Sequence, residues 1–487
     1  MPKGVFDGPL EQVDTCCWRI PKSYKQGMRV DGMIFASEKL VEKIRQDQAP
    51  EQVANVAFLP GIQGASLAMP DIHWGYGFCI GGVCATDPEA GGVISPGGVG
   101  YDINCGVRLV RTNLYYRDVK PYQRQLVEDL FRNIPTGVGR SGRYRFEKKE
   151  LCRLMEQGTS YLLGRDLAQP SDIEHTEAMG CIDLAEPDLV SDQALTRGSQ
   201  QCGTLGSGNH FLEVQIVDHV FNETVADAFG LKKDMVCVMI HSGSRGLGYQ
   251  VCDDALADFR GVPERHGITL PDRQLACAPV DSAEGKHYIG AMRAAANFGF
   301  CNRQLLMQQA RDVFANIFGR TWQELGMTLL YDVAHNIAKF EEHEVDGVRK
   351  KVWVHRKGAT RAFPAGHPEL PEVFRAVGQP VIIPGDMGRA SWVLVGRPGS
   401  MAKSFGSTCH GAGRAMSRTA AVKEASGRRI DKELEARGVI ARAQSLRGLA
   451  EEQPKAYKDV DDVVDVVHQA DLSAKVARMR PIGVIKG

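Results

Sequence analysis

Four histidines stand beside small or amide residues where strand-like runs end: His210 in GSGNHFLE, His241 in VMIHSGSRG, His335 in LYDVAHN and His410 in STCHGAGR. A rigid strand that delivers a side chain into a glycine-rich loop builds a site, because the loop lets a ligand come close. Asp102 and Cys105 in YDINCG add a carboxylate and a thiol three residues apart on a tight turn, where both can face one point. With His210, His241 and His335 they form five candidate metal ligands. The set is scattered over more than 200 residues. Spacing therefore leaves the alternative open: a capping Asp102, an inert buried Cys105 and hydrogen-bonded core histidines.

Phosphate chemistry would need an unusual nucleophile. The sequence has no GxxxxGK[ST] loop, since AEGKHY puts His287 after Gly285 and Lys286. It also lacks K-x-D-G, the nearest fragment being Glu344-Val345-Asp346-Gly347. His410 fits the need. An imidazole can attack phosphorus, Gly411 and Gly413 would expose backbone N–H groups at an expected helix start, and Arg414 would lie one turn on along the same face.

The elements that must position these residues are legible in outline. SEKLVEKIRQ has a helical pattern, and helices are expected at 120–133, 148–163, 283–318 and 409–425. VCVMIHS, TLLYDVAHN, KKVWVHR and PVIIPG read as buried strands. Between Met69 and Gly106 glycines recur every few residues, which implies tight turns and close backbone approaches. With no internal repeat and no low-complexity linker, the expectation is an α+β fold of mixed sheets surrounded by helices, with residues 1–487 forming one domain.

Composition narrows the class. A chain of 487 residues with 43% hydrophobic and 24% charged residues can bury a large core, which excludes disorder. No apolar run approaches the roughly 20 residues that cross a bilayer, and MPKGVFDGPLEQ does not read as a secretory signal, so a cytoplasmic protein is expected. The 13 cysteines are odd in number and irregularly spaced, which favours reduced thiols; Cys237 and Cys301 lie in apolar runs. Zero formal net charge does not imply a general polyanion-binding surface, so any nucleic-acid contact must come from a local patch. Between His410 and Ala450, however, nine basic residues stand against four acidic ones. A solvated helix face laced with ion pairs is the simple reading of that stretch.

Eight motifs in order carry a resemblance: PDIHWGYGFCIGG, GGVGYDINCGVR, GTLGSGNHFLE, HSGSRG, DVAHN, PGDMGRASWVL, STCHGAGR and the terminal PIGVIKG. Together they resemble the RtcB family of RNA ligases from about residue 30 to the C-terminus. The resemblance implies two Mn2+ ions, one held by Asp102, Cys105 and His210 and one by Cys105, His241 and His335, with the thiolate shared. It implies GTP as the nucleotide, His410 as the guanylylated nucleophile, and a guanylate pocket of Asn209, Glu213, Asn336, Pro384, Gly385, Asp386, Met387, Ser391, Gly411, Ala412, Gly413 and Lys486. Arg197, Arg245 and Arg418 become candidates for holding RNA phosphates or termini, and His73 in DIHWGYG is assigned a structural role.

The activity so implied joins an RNA 3′-phosphate or 2′,3′-cyclic phosphate to a 5′-hydroxyl through a histidine-GMP intermediate, in tRNA splicing or RNA repair. RNA with those ends would be the partner, an archease-type activating protein is allowed as another, and no membrane is involved. One position departs from the family pattern: Pro-Gly-Ser-Met is expected in the guanylate loop, and here it is Pro-Gly-Asp-Met followed by Arg389. An acidic side chain beside a triphosphate repels it unless it faces the base or pairs with that arginine. Two rivals are a dinuclear phosphodiesterase or phosphatase with the same ligands, and a non-catalytic RNA-binding scaffold.

Overall fold

The computed structural model describes residues 4–487. Two large sheets organise the chain. The first has seven strands in the order Glu11–Asp14, Cys17–Ile20, Asp31–Phe35, Ile62–His73, Ile80–Thr86, Val348–Lys357, Asn336–Val345. The Asp346-Gly347 pair turns its last hairpin, with φ of 50° and 76°, the left-handed backbone a two-residue hairpin requires. The second sheet runs Thr328–Ala334, Gly106–Tyr115, Met235–Ser242, Phe211–Val220, Ser473–Lys486, Ser391–Gly396, Pro380–Ile383, and Ile440–Ala443 adds a parallel strand to Ser473–Lys486. The fold is α+β, as the alternating patterns predict.

Met235–Ser242 shows why a strand forms there. All eight of its residues are buried, because both faces of the sheet are covered. Val236, Val238 and Ile240 pack with Leu306 and Phe314 on one side, while Cys237 and Met239 pack with Phe374 and Met479 on the other. Cross-strand register then decides which side chains share a face. His241 pairs with Val107 on one neighbour and Phe211 on the other, and Phe211 pairs with Lys486. Val107 also pairs with Val333. Two residues further toward that end on the same face come Cys105 and His335, while Glu213 lies two residues inward, opposite Met239, so five polar side chains share one face near the end of the sheet.

The helix expected at 283–318 spans Ala283–Phe318, capped by the Ser282 side chain, which accepts from the Gly285 N–H. It is about 54 Å long at 1.5 Å per residue and carries buried polar groups that its apolar pattern conceals. Arg303 is the most connected of these. Its guanidinium donates to both carboxylate oxygens of Asp332 (2.9 and 2.7 Å), to the Asn104 carbonyl (2.6 Å) and side chain (3.0 Å), and to the Ser242 carbonyl (2.9 Å). Arg108 shares Asp332 at 2.7 Å. Burial would raise the Asp332 carboxyl, but the two guanidinium charges hold it below the usual range.

The other expected elements form with shifted ends. Helix spans Gln123–Asn133, Lys148–Gln157 and Glu38–Ile44, and PVIIPG contributes Pro380–Ile383. The helix expected at 409–425 does not. Ser407–Cys409 is a strand, and helix begins only at Arg418–Glu424. Gly413 takes φ 72°, outside the helical region, and the N–H groups of Ala415 and Met416 donate to the Ala456 carbonyl instead of to carbonyls four residues back, so no helical turn closes there. All thirteen cysteines are free. Among the described residues no helix is long and apolar enough to cross a membrane. Most of the basic stretch is paired, as in Arg428 with Glu424 and Glu433, and Arg442 with Glu128.

Asp332→Ala leaves two buried guanidinium groups short of their counter-charge. It should lower unfolding free energy by about 3–5 kcal/mol, read by urea denaturation, whereas the exposed Glu42→Ala should change it by less than about 0.5 kcal/mol.

Candidate functional site

The turn before Gly106–Tyr115 sets the first part of the site. The Cys105 N–H donates to the Asp102 carbonyl at 2.9 Å, and Asn104 takes φ 52°, a conformation asparagine tolerates. Asp102 reaches its place because residue 243 is glycine: a Cβ there would stand 2.3 Å from Asp102 Oδ1. The Cys105 sulfur lies 3.2 Å from His210 Nε2 and 3.2 Å from His241 Nε2. His241 Nε2 lies 3.3 Å from His335 Nε2, and His210 Nε2 is 2.9 Å from Asp102 Oδ2. All five expected metal ligands therefore fall in one cluster, with the sulfur next to two of the three imidazoles.

The donor set fits a divalent cation. Burial, followed by the Asp102 charge, pushes the Cys105 thiol well above its ordinary value, so its thiolate needs a nearby cation. Burial pushes the His241 and His335 imidazoles well below theirs, which leaves them neutral. His335 Nδ1 is buried with no hydrogen-bond partner. His210 Nδ1 faces Arg245 Nη1 at 2.9 Å, so here its Nε2–H donates to Asp102. Ligation through Nε2 requires the other tautomer and the loss of that arginine contact. Arg245 occupies a niche that a Cβ at Gly206 would fill, only 1.8 Å from Nη2.

His410 enters from the opposite side, directly after Ser407–Cys409, and its ring stands edge-on to His335 with centroids 4.8 Å apart. Its Nδ1 is 2.6 Å from Asp71 Oδ2, on the strand Ile62–His73 of the other large sheet. The same oxygen accepts from the His410 and Gly411 N–H groups, while Asp71 Oδ1 is buried without a partner. Burial would raise Asp71, but the His410 contacts hold it below the usual carboxylate range. Asp71 is the functional residue that the sequence reading missed. The signal was present, two residues before the His73 of PDIHWGYG. His73 itself is buried, bonded through Nδ1 to the Asp71 carbonyl, and pushed down to about 3 by burial.

A cavity of about 530 Å³ opens over the cluster. Asn209, Glu213, Asn336, Pro384, Gly385, Asp386 and Met387 line it, together with His410, Gly411, Ala412, Gly413 and Lys486. Ser391 does not; its Oγ lies behind the wall, accepting from Gly385 N and from Gln215. Asn336 is committed on both sides, donating to the Asp102 carbonyl (3.1 Å) and accepting from Gly358 N (2.9 Å). Burial raises Glu213 to about 7 and Asp386 to about 6. Arg389 Nε is 3.4 Å from Asp386 Oδ2, which supplies the pairing that a carboxylate at this position demands. Burial lowers Lys486, opposed by Glu452 and Glu213, and its ammonium donates to the Asn209 carbonyl at 3.2 Å.

Of the three arginines expected at RNA phosphates, Arg418 lines the cavity, Arg245 sits against His210, and Arg197 is exposed on the helix Asp192–Gln201. Arg414 is not poised one turn along from His410. Because no helix starts at 411, it turns to Glu452 (3.0 Å) and to the Glu451 carbonyl (2.8 Å).

A family model described as tRNA-splicing ligase RtcB matches residues 52–487. A protein of Thermococcus kodakarensis named tRNA-splicing ligase RtcB is 53% identical over 479 residues, 98% of this chain and 99% of that one. One of Archaeoglobus fulgidus with the same name is 53% identical, covering 99% and 100%. The RNA-splicing ligase RtcB of Mycobacterium bovis is 51% identical over 438 residues, 90% of this chain and all of that one.

The resemblance implies a sulfur shared between two cations, which would give a specific pattern of metal loss. Cys105→Ala should lower bound divalent metal at both positions, while His210→Ala and His335→Ala should each affect mainly one. Elemental analysis after equilibration with Mn2+ or Zn2+ checks this, zinc binding the more tightly. Equal loss from all three variants contradicts a shared sulfur.

Proposed function

The chain belongs to the RtcB family of RNA-splicing ligases, and on that premise we propose that it joins an RNA 3′-phosphate or 2′,3′-cyclic phosphate end to a 5′-hydroxyl end, using GTP and two Mn2+ ions. The observation that carries this reading is the Asp71–His410 pair. With Nδ1 bound to a buried carboxylate, the proton of the neutral imidazole sits on Nδ1 and the lone pair on Nε2. His410 lines the cavity and borders the metal cluster.

Nε2 attacks the α-phosphorus of GTP, the bond to the pyrophosphate oxygen breaks, and a histidine-GMP phosphoramidate forms. Asp71 stabilises the positive charge that develops on the ring, a task for which its burial suits it. A 2′,3′-cyclic end is first opened by water, which adds to phosphorus as the P–O2′ bond breaks and the 2′-oxygen takes a proton; an oxygen of the RNA 3′-phosphate then attacks the phosphorus of the adduct, the P–N bond breaks, and His410 recovers its lone pair. Finally the 5′-hydroxyl gives up its proton to solvent and attacks the activated 3′-phosphorus, the bond to the GMP oxygen breaks and GMP leaves, so the RNA phosphate stays in the junction. Divalent cations, when bound by the Cys105 cluster, supply charge neutralisation at phosphoryl oxygens and activation of an attacking oxygen.

The guanine edge offers N–H donors, which suits the Glu213 and Asp386 carboxyl groups, while Lys486 and Arg418 offer charge to phosphates. Pairing with Arg389 lets Asp386 serve there without repelling the triphosphate. Arg197 and Arg245 complete the proposed RNA contacts. Because the site draws on residues from Asp71 to Lys486, residues 1–487 are read as one catalytic domain. The cytoplasm is its proposed location, as the sequence patterns suggest, and an archease-type activator as its partner rests on the family.

Isotopic label in the RNA 3′-phosphate tests the reading: it should appear in the junction of the joined product. Release of labelled phosphate without joining would instead favour a metal-dependent hydrolase. Asp71→Asn should slow ligation by about 10²–10⁴-fold, since an amide neither fixes the tautomer nor stabilises the charged ring. A change below threefold would remove Asp71 from the mechanism.

A further inference from the structure

A second hollow, of about 490 Å³, adjoins the reaction cavity. Tyr76 and Tyr101 line both, so a single pair of rings separates the two spaces. The rings meet edge to face with centroids 5.6 Å apart, and Tyr249 stacks on Tyr101 at 4.7 Å. This wall is fixed to the site by the chain itself. Tyr101 precedes Asp102, and Tyr249 lies on the helix Arg245–Asp258, whose first residue contacts His210.

The lining has three kinds of chemistry. Leu256, Phe259 and Ile268 supply an apolar floor opposite the tyrosines. Arg260 and Arg273 are exposed on it, and among the described residues neither guanidinium has an ion pair or a side-chain hydrogen bond. Asp253 and Glu264 add exposed carboxylate acceptors. An aromatic wall with an apolar floor suits a flat base, free guanidinium groups suit a phosphate, and carboxylates suit the N–H groups of a base edge. A nucleotide combines all three, whereas a hydrocarbon chain would leave four charges unmatched.

The reaction cavity has room for one nucleotide-sized ligand, so the RNA residue next to a reacting end must lie elsewhere. We propose that the second hollow is a subsite for a nucleotide of the RNA strand, its base against the Tyr76–Tyr101 wall and its phosphate at Arg260 and Arg273. This rests on the RNA-ligase reading above.

Abasic scanning tests it. RNAs with one abasic residue at each of the three positions nearest either reacting end are compared with intact RNA by fluorescence anisotropy. For the unaltered protein, one such position should weaken binding about tenfold. Leu256→Trp, which fills the hollow, should bind intact RNA about tenfold less tightly and no longer distinguish the abasic strand. Arg260→Ala with Arg273→Ala should flatten the dependence of binding on salt by one to two phosphates. Thermal melting and metal content report whether the variants fold. If Leu256→Trp binds intact RNA normally and still senses the abasic position, the subsite is not there. If the variants lose GTP affinity but keep RNA affinity, the hollow holds free nucleotide and the proposal fails. Absence of guanylate on the unaltered protein, with the abasic penalty intact, would overturn the ligase reading while leaving the subsite standing.

Discussion

Arg303 is the group on which the site depends. Its side chain is fully buried, and such a charge is tolerated only when every donor finds an acceptor. The acceptors it finds are the carbonyl beside Cys105, the carbonyl beside His241, and the carboxylate of Asp332, three residues before His335. One guanidinium on the long helix thus ties together the three chain segments that carry the inner ligands. Strands alone fix which face a side chain takes. The clamp fixes how far along the sheet the three segments stop, and that brings the Cys105 sulfur to 3.2 Å from His241 Nε2.

A second constraint joins the two large sheets. Asp71 sits at the end of one, His335 at the end of the other, and His410 stands between them, bonded to the first and in ring contact with the second. Burial works differently on the two sides. It leaves the cluster imidazoles neutral and suited to a cation, whereas it gives the Asp71 charge more influence over the His410 ring. The proposed chemistry needs both conditions within one cavity, and the fold meets them by drawing the two groups from separate sheets.

Local pattern exposed some of this and concealed the rest. The helix at 283–318 and the strands around His241 and His335 follow from periodicities acting over a few residues. The family motifs gave all five cluster residues, which the spacing had left as open candidates. Asp71 escaped because its partner is 339 residues away: the motif around His73 marked the segment, but nothing local pairs its carboxylate with a distant imidazole. The helix drawn from 409 failed for a related cause, since the N–H groups of Ala415 and Met416 are taken by the distant Ala456 carbonyl. Arg303 lies in a helix whose apolar pattern gives no hint of a buried ionic clamp. Ser391 turned out to support the cavity wall from behind, a distinction of depth that a motif cannot convey.

In the mechanism proposed, Asp71 directs phosphoryl transfer to one nitrogen of one histidine. Protein labelled with 15N-histidine, incubated with GTP and Mn2+, then denatured and freed of metal, can be examined by 31P–15N NMR together with peptide mapping. A single phosphoramidate, on Nε2 of His410, is expected. Phosphorus on Nδ1 of that residue, on another side chain, or on none would contradict it.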